Sequence, residues 1–210
     1  LKNGIQPENV RLLGIGGGDI SLFEYELSLC LGATTGLLNN SGFAVEKISQ
    51  DEFWSGKKNL FILPPDRMTL RAFFDTGKTT LLTSEQLEEA ARQVHENFRK
   101  MKQKKVTDPA LMDWEELRDD IKNSNMDQIR NIERTLQKVD YAIQEVANKD
   151  EIIMPEFSKE EIEVMAEIEH GRWNAERLLS GWRYHPDKDV EKKQSPYLVS
   201  WEKLTNEIQE

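Results

Sequence analysis

The sequence is short of several things. It has one cysteine, Cys30, among 210 residues, so no intrachain disulfide framework can form and a reducing compartment is the natural setting. It is short of cations, with 28 Lys and Arg against 38 Asp and Glu and a formal charge of -10. A chain without a basic field is not built to hold a nucleic-acid polymer, although a small basic pocket could still take a nucleotide-sized ligand. No apolar run approaches the roughly 20 residues that span a bilayer, so no membrane insertion is expected and a cytoplasmic location is. Its three histidines show no metal-ligand spacing, and Asp187, Asp189 and Glu191 lack the glycine and distant glutamate of a calcium loop. There is no internal repeat or low-complexity tract. Leu1 stands where a methionine would, which leads us to expect a piece of a longer chain. The length suffices for one large domain or two small ones.

What is present begins with alternation. Val10–Ile15, Thr34–Leu38 and Asn59–Leu63 read as strands, with helices expected from Asp19 or Ser21 to Leu31 and from Ser49 to Trp54, and Gly32 as a stop. Strand, helix, strand, helix, strand is the grammar of a parallel α/β sheet, here partial and Rossmann-like over 1–80. Three strands make a thin sheet whose faces need helices from elsewhere. After the first strand comes the run Gly14, Gly16, Gly17 and Gly18. Counted as a dinucleotide fingerprint it ends on Asp19, which places a negative charge where the pyrophosphate would lie. Glycines ahead of a helix leave amides open to an anion, so Gly16, Gly17, Gly18, Ser21 and Glu24 are candidate ligand residues, the last for a ribose hydroxyl. The plain alternative is a tight turn with Asp19 as helix cap and Glu24 in solvent. Gly17, Gly18, Ser21 and Glu24 resemble the glycine, glycine, threonine, glutamate signature of the lysine-decarboxylase-like (SLOG) Rossmannoid folds, some of which cleave nucleotide monophosphates. Ile20 stands where that signature has a further glycine. The resemblance implies that Val10–Phe74 is the closing half of such a domain.

The composition then changes. After an apolar helical turn at Thr69–Phe74, a helical lead-in and bundle is expected over 81–155. Thr83 with Gln86 makes a capping box, and Leu87, Ala90, Ala91, Val94, Phe98 and Met101 recur at helical spacing. His95 reads as a surface or boundary residue. A helix is expected from Asp108 and Pro109 through Trp114, Leu117 and Ile121, broken or capped at Asn123, Ser124 and Asn125, followed by a long helix over Met126–Ala147.

The remaining stretch, 156–210, opens with Phe157, Ser158 as cap, Glu161 returning the bond and Ile162 placed to pack on Phe157. Met165, Ile168, Ala175, Leu178, Leu179 and Trp182 form the apolar stripe of a helix. Glu169, His170, Arg172, Trp173, Glu176 and Arg177 interrupt it, and Gly181 lets the chain leave into an irregular aromatic segment. Arginine forks suit a phosphate or carboxylate and tryptophan faces suit a base, so Glu169, His170, Arg172, Trp173, Glu176, Trp182 and Lys193 are candidate ligand residues. The competing reading is a buried polar network in which a glutamate satisfies Arg172. No nucleophile accompanies His170, so no catalytic residue is assigned.

Glu169, His170, Arg172 and Trp173, the Gly181 and Trp182 pair, Asp189, Lys193, and Pro196, Leu198, Val199, Trp201 and Leu204 resemble the prokaryotic form of the ryanodine-receptor-type (RyR) repeat domain. Trp114, Leu117, Ser124 and Asn125 resemble its helical lead-in. The resemblance implies a regulatory or ligand-sensing module for a small anionic or nucleotide-derived ligand, joined to an upstream domain and without catalysis of its own. The alternatives are a fragment of a nucleotide hydrolase or glycosidase, or a protein-interaction module.

Overall fold

The computed structural model describes residues 4–75, 82–101, 109–143 and 155–209. Two compact units form, one from Leu1–Asp75 with Gly171–Ile208 and one from Thr76–His170.

In the first unit, β1 (Arg11–Gly14), β2 (Thr34–Leu38) and β3 (Leu60–Leu63) make a parallel sheet in the order β1, β2, β3. The crossovers are α1 (Asp19–Leu31), then α2 (Phe43–Gln50) with α3 (Glu52–Ser55). Gly32 ends α1 in the left-handed conformation at φ 89, which glycine adopts without a Cβ penalty. The expected helix at Ser49–Trp54 is in fact two. One begins at Phe43 and carries the buried Ala44, Val45 and Ile48. The other starts afresh because the Asp51 carboxylate accepts from the amides of Phe53 and Trp54, a cap that competes with helix continuation.

Alternation along the strands divides the core in two. Leu12, Leu37, Leu60 and Ile62 pack with Leu22, Tyr25 and Leu29 of α1 and Val45 and Ile48 of α2. Leu13, Phe61 and Leu63 point the other way, to Phe73, Leu178, Trp182 and Leu198. Phe73 belongs to α4 (Arg67–Phe74), and Leu178 to α7 (Lys159–Leu179). The second face of the thin sheet is therefore covered from more than a hundred residues downstream. A two-residue parallel ladder of β4 (Arg183–Tyr184) and β5 (Gln194–Ser195) and the short α8 (Asn206–Gln209) complete this unit's elements.

The second unit is helical. Its α5 (Ser84–Met101) opens with the expected capping box, in which Gln86 N donates to Thr83 Oγ1 at 3.2 Å and Thr83 N to Gln86 Oε1 at 2.9 Å. Leu87 and Ala91 pack with Trp114, Leu117, Ile121 and Ile129. The break expected at Asn123–Asn125 does not occur, since α6 runs unbroken from Asp119 to Gln137. Ser124 is buried in it, and Asn125 Nδ2 donates to the Ile121 carbonyl one turn back. Pro109–Leu111 and Trp114–Glu116 are separate 3₁₀ turns. The helix placed over Met126–Ala147 ends at Gln137, with Asp140 at φ 62; residues 144–147 lie outside the described residues. His95 is not at the surface. It is 1% exposed, with Nε2 2.8 Å from the Met112 carbonyl and its ring 5.9 Å from that of Trp114. A buried imidazole needs such an acceptor, and its place on the same helical face as Ala91 was readable.

The capping box of α7 forms as expected, with Ser158 N to Glu161 Oε2 at 2.7 Å and Glu161 N to Ser158 Oγ at 3.2 Å. The staple differs: Phe157 meets the ring of Tyr141 edge-on at 5.0 Å, and Ile162 is 52% exposed. Among the described residues no helix is long and apolar enough to cross a membrane.

Candidate functional site

The glycine turn follows β1. Gly16 and Gly17 have φ of 59 and 89, which a side chain would strain. A Cβ at Gly16 would lie 2.7 Å from the Ser41 carbonyl oxygen, and one at Gly17 would lie 2.3 Å from Ser21 Cβ. Both positions are thus explained by the fold itself. The Gly16 amide donates to Ser41 Oγ at 2.9 Å, and that hydroxyl donates to the Leu38 carbonyl at 2.6 Å. Gly18, not Asp19, is the N-cap of α1, with no side chain capping the first turn. Ser21 is half-buried, Glu24 and Asp19 are exposed, and a Cβ on Gly18 would touch nothing. Ser41 and Gly42, between β2 and α2, are partners of this turn that sequence reading passed over.

In the C-terminal part, a close approach sets the geometry. A Cβ on Gly171 would sit 2.4 Å from Met68 Cβ and 2.5 Å from the Met68 carbonyl carbon, so α7 can lie against α4 only with glycine at this point. One turn further on, Asn174 is fully buried, and its Nδ2 donates to Thr69 Oγ1 at 3.1 Å and to the Val199 carbonyl at 2.8 Å. Asp66, 3% exposed, accepts from Thr69 N at 2.6 Å and from Trp201 N at 3.2 Å. Asp66, Thr69 and Asn174 thus tie α4, α7 and the closing segment together. The sequence reading placed a polar network at Glu169, His170 and Arg172 and passed over Asp66, Thr69 and Asn174. Asn174 was missed because an asparagine beside charged residues gives no signal of burial. Asp66 after two prolines had one available signal, the N-cap position of a helix.

Glu169 and His170 are half-buried residues of the second unit, while Arg172 is 9% exposed and belongs to the first. Lys193 Nζ donates to the Ser180 carbonyl at 2.9 Å, which places a cation at the end of α7. Trp182 is 5% exposed and sits in the core cluster that Trp173 also flanks. Between these two indoles lies Arg177, its guanidinium carbon 5.9 Å from the Trp173 ring and 5.0 Å from that of Trp182. Arg177 Nε is 3.5 Å from Glu176 Oε2, and Ser180 Oγ donates to Glu176 Oε1 at 3.3 Å. Yet Arg177 Nη1 and Trp182 Nε1 are buried donors with no hydrogen-bond partner among the described residues. Two buried donors near one another without acceptors cost about 1–3 kcal/mol each.

The neighbouring loop carries no comparable feature. Among the described residues no three of His, Cys, Asp and Glu gather as a metal group. Asp189 is held below the usual carboxylate range by the backbone amide of Lys192, 3.0 Å away, and by its ammonium at 3.2 Å. Because its folded pKa is depressed, this turn is favoured above the ordinary aspartate midpoint and loosens as pH falls through the folded value. In an NMR titration the Lys192 amide should move below that midpoint, and a transition at the ordinary value would mean that the turn is not formed.

The model of the RyR domain family matches residues 146–210. This C-terminal region is RyR-domain-like, and the described part of the match includes the whole of α7, β4, β5 and the closing 3₁₀ turn at Trp201–Lys203. No curated protein and no solved structure matches the chain.

Proposed function

We propose that this chain is a regulatory, ligand-sensing module whose RyR-like region takes a small anionic, nucleotide-derived ligand. The observation that carries the reading is the buried Arg177 between Trp173 and Trp182, with Arg177 Nη1 and Trp182 Nε1 lacking acceptors. An oxyanion would satisfy both donors with charge-assisted bonds, and a partly exposed indole such as Trp173 offers a face to a base. Arg172, Glu176 and Lys193, all of the same unit, form the polar surroundings in this reading. The Gly17 and Gly18 amides ahead of α1 are a second, weaker anion position. A cytoplasmic setting and an upstream domain that receives the signal belong to the same proposal, as does the SLOG-like identity of 1–80. The chain carries out no catalysis in this reading.

The test is thermal and chemical denaturation of the whole chain with inorganic phosphate, adenosine or AMP, for the parent and for Arg177→Met. AMP at about a hundred times its Kd should stabilise the parent by about 2.7 kcal/mol. Phosphate should give a smaller effect, and Arg177→Met should lose the response to both. A parent indifferent to phosphate and AMP alike rules out the anionic site, and an equal response in Arg177→Met moves it elsewhere.

A further inference from the structure

Helix α1 has a second apolar face, exposed among the described residues. Its inner face carries the buried Leu22, Tyr25 and Leu29. At about 100° per residue, Ile20, Phe23, Leu27 and Leu31 fall within an arc of about 80° on the opposite side. They are 80%, 64%, 45% and 49% exposed. An apolar residue in solvent is ordinary, but four in one helical stripe are not: a helix apolar on both faces is one that is covered on both. The stripe exposes roughly 400 Å² of apolar surface, within the size range where a patch on a monomer often serves binding.

The charge around it identifies the occupant. Every ionisable side chain of α1 apart from Tyr25 and Cys30 is acidic: Asp19, Glu24 and Glu26, with no Lys or Arg. On the helical wheel Glu24 borders one edge of the stripe and Glu26 lies beyond the other. Glu8 adds a carboxylate at the far end, its Oε1 4.0 Å from where a Cβ on Gly32 would stand. A second copy laid on this face would bring carboxylates against carboxylates, and its patch is about half the roughly 800 Å² that each partner of an ordinary stable dimer contributes. An anionic membrane is repelled for the same reason. The stripe runs about 16 Å along the axis, three turns, which is the footprint of one helix. We propose that the outer face of α1 docks an amphipathic helix of a partner protein, with an apolar stripe flanked by Lys and Arg. The apolar residues would supply the burial and the acidic border the choice of partner.

Two synthetic helical peptides of about 18 residues, sharing one leucine stripe and flanked by lysines in one and glutamates in the other, test this on the whole chain. The lysine peptide should bind at least about tenfold more tightly than the glutamate peptide. Phe23→Asp should weaken it by about tenfold or more while leaving the circular dichroism spectrum and denaturation midpoint unchanged, because the residue is exposed. The pair Glu24→Lys and Glu26→Lys should reverse the preference. Binding of neither peptide overturns the proposal, as does binding of the lysine peptide that ignores Phe23→Asp, which would mean attraction to the acidic surface at large. Sedimentation showing a dimer that Phe23→Asp dissociates would give the face to a second copy. Retention on phosphatidylserine vesicles that Phe23→Asp abolishes would give it to a membrane.

Discussion

Gly171→Val should destabilise the first unit by about 3 kcal/mol or more, and Gly171→Ala by about 1–2 kcal/mol. In an open helix the alanine change would stabilise, since glycine costs about 1 kcal/mol relative to alanine in a helix interior. Here the added Cβ meets Met68 Cβ, the Met68 carbonyl carbon and Thr69 N at 2.4, 2.5 and 2.8 Å. Two of those three atoms are backbone and cannot swing aside. To relieve the clash α7 must lift from α4, which pulls Asn174 from Thr69 and Leu178 from the cluster around Phe73. Urea denaturation of the two variants beside the parent measures the effect. A stabilised Gly171→Ala protein would show that the two helices do not touch at this point.

Asp66→Ala should cost about 3 kcal/mol. The carboxylate does two jobs: as N-cap it accepts from Thr69 N, and it accepts from Trp201 N across the fold. Loss of a cap costs about 0.5–2 kcal/mol, and a stranded buried amide about 1–3 kcal/mol. Asp66→Asn keeps one acceptor oxygen and should fall between the parent and alanine. Because Thr69 also accepts from Asn174 Nδ2, Asp66→Ala and Asn174→Ala should be coupled. A double-mutant cycle should return an interaction of about 0.5–3 kcal/mol. Strict additivity would mean that the two polar residues hold α4 and the closing segment independently.

The candidate ligand residues show where such local reasoning reaches its limit. Arg177 and Trp182 are five apart, so one helical turn and the exit at Gly181 place them near each other, and Trp173 lies one turn before Arg177. That proximity was legible from spacing alone. Whether their donors meet acceptors was not, because satisfaction depends on every chain segment that packs over them. The same holds for Lys193, a candidate ligand residue by sequence, whose donation to the Ser180 carbonyl only the folded chain shows.

By itself the sequence determined the features governed by neighbours a few residues away. The three parallel strands, the Gly32 stop, and the capping boxes at Thr83 and Ser158 follow from side-chain period, backbone freedom at glycine and hydrogen bonds spanning three residues. The RyR-like character of the C-terminal region was legible for a related reason, since its tryptophans, histidine and prolines stand at fixed separations. Tertiary structure alone decided what rests on distant segments. It unified α6 across Asn123–Asn125, where tertiary packing buries Ser124 and outweighs weak helix propensity. It buried His95 against Met112, made Asn174 and Asp66 a polar tie, and closed the second face of the sheet with Leu178 and Trp182. Period tells which side of an element must be covered; only the folded chain supplies the cover, because burial and acceptor satisfaction are properties of contacts between residues far apart in sequence.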